Sequence, residues 1–117
     1  MQPMRSIATC LLAGLIAFTP AWAQVQRFPS KPLRLVVPFA AGGVTDVVAR
    51  LYAEELAKSL GQPVVVDNKT GANGAVAMDS VKQAPADGHT LMLATVGTQA
   101  INPALFPGLR YKPQDLG

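Results

Sequence analysis

The stretch Leu33-Arg34-Leu35-Val36-Val37-Pro38-Phe39-Ala40-Ala41-Gly42-Gly43-Val44-Thr45-Asp46 decides the fold. Leu33–Phe39 is short, apolar and rich in β-branched residues, the composition of a strand buried on both faces. Pro38 has no N–H and ends the hydrogen-bond ladder there. Ala40–Gly43 breaks the strand pattern, and a helix begins at once. Val44, Val47, Val48 and Leu51 recur at helical spacing, and the stripe continues through Tyr52, Leu56 and Leu60. This stripe is expected to face the core, with Arg50, Glu54, Glu55 and Lys58 on the other side. Thr45 or Asp46 caps or charges the helix start, and Gly61 is the expected stop.

Outward from this βα unit the pattern repeats. Pro63–Asp67 reads as a second buried strand, Asn68–Gly74 as a loop, and Ala75–Gln83 as a short helix with Val76, Ala77 and Val81 turned inward. Pro85-Ala86-Asp87-Gly88 is a turn signal. His89–Thr95 is a third strand ended by Val96-Gly97-Thr98, Ala100–Phe106 a helical turn interrupted by Pro103, and Pro107–Gly117 loop-like. The order β-α-β-α-β predicts an α/β chain with one parallel sheet and right-handed crossovers.

Upstream, Met1–Arg5 is short and basic, Ile7–Phe18 is an apolar run of twelve residues, and Ala21-Trp22-Ala23 has the small-x-small pattern of a signal-peptidase site. Twelve helical residues rise about 18 Å, short of a hydrocarbon core of roughly 30 Å, so a cleaved signal peptide over residues 1–23 is the expectation. Secretion to the periplasm follows, with cleavage after Ala23. The mature chain, residues 24–117, then carries no cysteine, because Cys10 is the only one. Disulfide scaffolds, thiolate metal sites and cysteine catalysis are excluded. Once Arg5 is removed, nine Lys/Arg face seven Asp/Glu. The charges are scattered and form no basic stripe for nucleic acid. Half the residues are hydrophobic and 15% are charged, so the chain is globular, with enough length for one modest core and no second domain.

In a parallel sheet the strand C-termini share one edge, and ligands bind in the crevice outside it. Phe39–Thr45, Asn68–Gly74 and Thr95–Gln99 occupy that edge. All three contain glycine, which lets backbone N–H groups approach a ligand closely, and the first two run straight into helix N-termini. Neither the first nor the third contains Lys or Arg, and Lys69 is the only cation of the set. A bound anion would therefore be held by amides and hydroxyls, with Thr45, Thr70, Thr95 and Thr98 as hydroxyl candidates. Gly-Gly after a strand is also simply a tight βα turn, and both readings stay open here. Asp46 and Asp67 are an acid–base pair in principle, although Asp46 in a first helical turn serves more simply as a dipole, capping or loop-anchoring residue. His89, the only histidine, reads as an exposed or half-packed residue at a strand start. Met78 and Met92 read as core filler. Nucleotide fingerprints, G-x-S-x-G and paired-histidine metal motifs are absent.

Phe28-Pro29-Ser30-Lys31-Pro32, Leu35–Phe39 followed by Gly42-Gly43 and Asp46, Ala49-Arg50 and Leu60–Val66 form the start of an ordered set. Asn68-Lys69-x-Gly71-Ala72-x-Gly74, Pro85-x-Asp87-Gly88-x-Thr90-Leu91, Gly97-Thr98 and Ile101–Leu105 complete it. This set resembles the Bug/TctC-type periplasmic solute-binding proteins, receptors of tripartite tricarboxylate transporters. The resemblance covers essentially all of the mature chain. It implies a type II periplasmic-binding-protein fold of two α/β lobes closing over a small carboxylated solute: a di- or tricarboxylate, an acidic amino acid or an aromatic acid. It also implies no cofactor, no metal, no chemistry, and the membrane permease as partner. The ligand loops of the family match Phe39, Ala41, Gly42, Gly43, Thr45 and Asp46, then Gly71, Ala72 and Asn73, then Thr95, Thr98 and Asn102. Within them, amides of Ala41–Thr45 and Gly71–Asn73 would hold carboxylate oxygens, Thr45 and Asp46 would orient the first loop, and Thr98 would add a hydroxyl.

Residues 24–117 would form the N-terminal part of the first lobe, with the second lobe absent. Micromolar affinity needs about 8 kcal/mol, and one charge-assisted hydrogen bond nets about 1.5–3 kcal/mol. Half a cleft stays wet, so weak carboxylate binding or none is expected of this length alone. A secreted enzyme using the glycine loops on a phosphate-containing substrate, and a solute sensor for a signalling partner, are the other readings.

Overall fold

The chain, as a computed structural model, describes residues 27–116. The expected signal peptide over residues 1–23 lies outside them. Pro38 ends the first strand as its missing N–H requires: β1 runs Leu33–Val37. Strand β1 leads to helix α1, Val44–Leu60, which stops on Gly61 in the left-handed conformation, its N–H bonded to Ala57 O. Strand β2 (Val64–Asn68), a 3-10 turn (Ala72–Gly74), helix α2 (Ala75–Lys82) and strand β3 (Thr90–Met92) follow. A π-helical turn over Gly97–Ile101 then runs directly into α3, Asn102–Leu105, so Pro103 sits in the first turn of a helix and interrupts nothing. β3 is shorter than the seven residues expected. Its ladder to β1 spans Arg34–Val36, with Leu93 N–H bonded to Val36 O, and Pro38 lets β1 carry it no further.

The sheet is three-stranded and parallel throughout, in the order β2-β1-β3. From the central strand the chain moves first to one side and then to the other. That reversal is a topological switch point, and it places a crevice outside the carboxyl ends of β1 and β3. Side-chain parity puts the helices on opposite faces. Leu35 and Val37 pack with Ala49 and Ala53 of α1, supported by Val64, Val66, Leu91 and Leu93. Arg34, one residue out of phase, reaches Ser80 Oγ of α2 at 2.6 Å. Arg34 Nε also lies 3.3 Å from Asp67 Oδ2, an ion pair without an aligned hydrogen bond.

The stripe assigned to the core is exposed: Val44, Val47, Val48, Leu51 and Tyr52 all face outward, Val44 at 83%. The buried face of α1 is instead Asp46, Ala49 and Ala53, while Leu56 and Leu60 are half-buried. Alanine lets the helix backbone approach the sheet closely, so the small side chains take the packed face and the large ones its flank. In α2 the buried pair is Ala77 and Met78, with Val76 exposed and Val81 half-buried. Met78 is core filler, as read from the sequence. His89 is not an exposed strand start. It is buried, its Nε2 accepts from Ser30 N–H at 3.3 Å, and its Nδ1 lies 3.1 Å from Asp87 O, an arrangement that places the ring proton on Nδ1. With the Lys31–Asp87 ion pair at 2.7 Å, it staples the lead-in segment to the turn before β3.

Candidate functional site

Three glycine loops reach the carboxyl edge of the sheet, and Gly74 is where they meet. A Cβ at this position would lie 2.5 Å from Thr98 Cγ2 in the third loop and 3.1 Å from Pro38 Cβ in the first. With φ +89°, Gly74 also has a backbone that only glycine adopts without cost. The sequence reading placed Gly74 in the loop but gave it no role. Its signal is a glycine that ends a glycine-bounded turn and starts a helix.

The first loop is held by one carboxylate. Asp46 is buried in the first turn of α1, where Oδ2 accepts from Gly42 N–H at 2.9 Å and from Arg50 Nε at 3.0 Å. Its Oδ1 accepts from Asn68 Nδ2 at 2.9 Å, and the same amide donates to Phe39 O at 3.0 Å. Asp46 is thus the loop anchor anticipated from its position. Asn68, which the sequence places in the second loop without a role, and Arg50, which it leaves out of the site, complete the clamp, and the i, i+4 spacing of Asp46 and Arg50 is the available clue. Thr45 is half-buried, and its side chain makes no hydrogen bond among the described residues. Asp46 does the orienting.

The Arg50 guanidinium first, then the Gly42 amide and Asn68, pull the Asp46 carboxyl from its ordinary 3.8 down to about 2. Lys31 and the His89 amide do the same for Asp87, also to about 2. A carboxyl depressed in the folded state supports folding fully above its unfolded pKa near 3.9 and loses that support as pH falls through its folded value. Thermal stability is therefore expected to hold above about pH 4 and fall between about pH 4 and 2. Asp46→Asn and Asp87→Asn should each flatten that fall in melting curves followed by circular dichroism. An unchanged slope in Asp46→Asn would contradict the clamp, and an unchanged slope in Asp87→Asn would contradict the Lys31–Asp87–His89 staple.

The second loop ends in a run of four residues at positive φ. Gly71, Ala72, Asn73 and Gly74 take φ of 122°, 45°, 52° and 89°. For Ala72 and Asn73 this region costs roughly 1–2 kcal/mol each, and such strain persists only where surrounding bonds impose it. The imposing group is Asn102. Its Nδ2 donates to Asn73 O at 2.8 Å and its Oδ1 accepts from Asn73 Nδ2 at 2.6 Å.

The third loop is closed on itself. Thr98 Oγ1 accepts from Thr95 N–H and donates to Thr95 O, both at 3.0 Å, while Thr95 Oγ1 accepts from Thr98 N–H at 3.4 Å. Thr98 and Asn102 are fully buried. The structure places both inside the scaffold, with the Thr98 hydroxyl already committed to Thr95.

The donors left at the edge can be named. Gly42 N–H is bonded to Asp46, Gly43 N–H to Ala40 O at 3.4 Å, and Gly74 N–H to Gly71 O at 2.9 Å. The amides of Ala41 in the first loop, of Val44, Thr45 and Asp46 at the uncapped start of α1, and of Gly71, Ala72 and Asn73 in the second loop take no partner among the described residues. Phe39, Ala41, Gly42, Gly43, Gly71, Ala72 and Asn73 are solvent-accessible beside them, and Thr95 is half-buried. The local positive end of the α1 dipole adds to these donors. Asp67 does not join Asp46. It lies on the opposite face of the sheet, paired with Arg34 and with Lys69 at 3.7 Å. Among the described residues no cluster of three His, Cys, Asp or Glu is placed to hold a metal.

Residues 48–116 match the family model of the tripartite tricarboxylate transporter family receptor. A UPF0065 protein of Bordetella pertussis is 42% identical over 109 residues, 93% of this chain and 32% of its own length. BugT of the same species is 44% identical over 113 residues, 96% of this chain and 35% of its own. The chain thus spans about a third of the length of the curated relatives it matches. Among solved structures, MatC from Rhodopseudomonas palustris with bound malate is 50% identical with TM-score 0.70, covering 74% of this chain and 29% of that one. Another R. palustris protein, solved with adipate, is 40% identical with TM-score 0.71 over 75% of this chain and 29% of that one.

Proposed function

Since the chain belongs to the tripartite tricarboxylate transporter receptor family, we propose that residues 24–117 supply the N-terminal part of the first lobe of a periplasmic solute-binding receptor. The receptor, exported by the signal peptide over residues 1–23, takes up a small carboxylate and delivers it to the permease of its transporter. The observation that carries this reading is the uncapped start of α1. Its Val44, Thr45 and Asp46 amides are held at the sheet edge by the Asp46–Asn68–Arg50 clamp, with the amides of the left-handed Ala72-Asn73 turn as the second set of donors. An arrangement of neutral donors suits the two oxygens of a carboxylate, whose single charge needs no lysine beside it. Malate in one solved relative and adipate in another are solutes of this class. The first and second loops touch the solute, and the third, with Thr98 and Asn102, positions the second. Asp46 and Asp67, each paired on its own face, and a buried structural histidine weigh against an enzyme of phosphoesters.

Calorimetric titration of the chain with malate, adipate and inorganic phosphate tests the reading. A dicarboxylate is expected to bind with Kd on the order of 1 mM, as befits a few solvated contacts, and more tightly than phosphate. Preference for phosphate, or turnover of a phosphoester, would overturn it.

A further inference from the structure

Tyr111 lies outside every loop at the sheet edge, yet it is the far end of the bonds that hold the second one. Its ring is 3% exposed, its hydroxyl donates to Thr98 O at 2.8 Å, and the same oxygen accepts from Asn102 Nδ2 at 3.2 Å. Asn102 uses its other Nδ2 hydrogen on Asn73 O and its Oδ1 on the Asn73 amide. Asn102 thus has a partner on every side. Rotating its amide by half a turn would set oxygen against Asn73 O and nitrogen against nitrogen. The Tyr111 hydroxyl, already donating to Thr98 O, offers only a lone pair to Asn102 and so favours the observed orientation.

This matters because the turn needs holding. Ala72 and Asn73 stand at positive φ without being glycine, and two short i, i+3 backbone bonds, Gly74 N–H to Gly71 O at 2.9 Å and Ala75 N–H to Ala72 O, are all the backbone supplies across their turn among the described residues. Asn102 imposes the turn, and Tyr111, coming from a segment with no other part in the site, imposes Asn102. We propose that Tyr111 is a positioning residue: through Asn102 it locks the left-handed Gly71–Gly74 turn in the conformation that presents the Ala72 and Asn73 amides. That these amides meet a carboxylate rests on the reading above; the locking itself does not.

Tyr111→Phe keeps the buried ring and removes only the hydroxyl. Amide exchange followed by NMR is expected to accelerate about tenfold or more at Gly74. The Ala72 and Asn73 amide resonances should shift with it. Gly61 N–H, bonded to Ala57 O at the far end of α1, should exchange as before. Ala72→Gly in the Tyr111→Phe background should restore slow exchange at Gly74, because glycine takes the left-handed turn unaided. Uniform acceleration at Gly74 and Gly61 together, no change at either, or a double variant that stays unfolded or unrescued would overturn the proposal. Malate added to the wild type separates the two claims. Absence of malate-induced shifts would count against the ligand reading alone, since the exchange pattern decides the locking.

Discussion

Alanine at Gly74 is expected to destabilise the fold by about 3–5 kcal/mol and to lower the melting temperature by more than about 10 °C. Two effects add. A methyl group at φ +89° costs roughly 1–2 kcal/mol, and the same methyl would stand 2.5 Å from Thr98 Cγ2 and 3.1 Å from Pro38 Cβ, closer than packed carbons come. Gly42 supplies the control. Its φ is +84°, yet nothing lies within 4 Å of a Cβ there, so Gly42→Ala should show the backbone cost alone, about 1–2 kcal/mol. Thr98→Ser removes the offending Cγ2 and keeps the hydroxyl that closes the third loop. The double variant Gly74→Ala, Thr98→Ser should therefore recover much of the loss. Melting curves of the four proteins check this, and equal effects at Gly42 and Gly74 would contradict the convergence of the three loops.

Asp46→Ala sets geometry against charge. Removing a carboxylate from the edge of the proposed anion site, and freeing Arg50 from its 3.0 Å bond, makes the neighbourhood more positive. A site that works by net charge would bind malate more tightly in the variant. The clamp predicts the reverse: Gly42 N–H and Asn68 Nδ2 lose their acceptor, the first loop leaves its place, and malate affinity falls by roughly tenfold or more. Calorimetry with malate on both proteins distinguishes the two, and a gain in affinity would sink the clamp as the organiser of the site.

The sequence made the element order legible because the strand runs, the Gly61 stop and the Pro38 break are local signals. The observed α1 starts at Val44 and ends at Leu60, as its punctuation indicates. Which face of α1 is buried was not legible. Valine and leucine at helical spacing mark an apolar stripe, but close packing on the sheet favours Ala49 and Ala53, and an alanine carries little weight in a periodicity. In the candidate site, the glycine loops and the anchoring role of Asp46 followed from position. The roles of Thr98 and Asn102 did not, because a hydroxyl or amide near an edge reads alike whether it faces a solute or a neighbouring backbone. Tyr111 was invisible for a related reason: its partners, Thr98 and Asn102, are thirteen and nine residues away in an irregular segment that has no period to read.

The central claim is that backbone amides at the start of α1 and in the Ala72-Asn73 turn hold a carboxylate. Titrating malate into the uniformly ¹⁵N-labelled chain and following its amide resonances tests it most directly. The largest shifts are predicted at Val44, Thr45, Asp46, Ala72 and Asn73, all saturating with one common Kd. Shifts that cluster instead around the basic side chains of Arg110 and Lys112, or that spread over the surface without saturating, would contradict it.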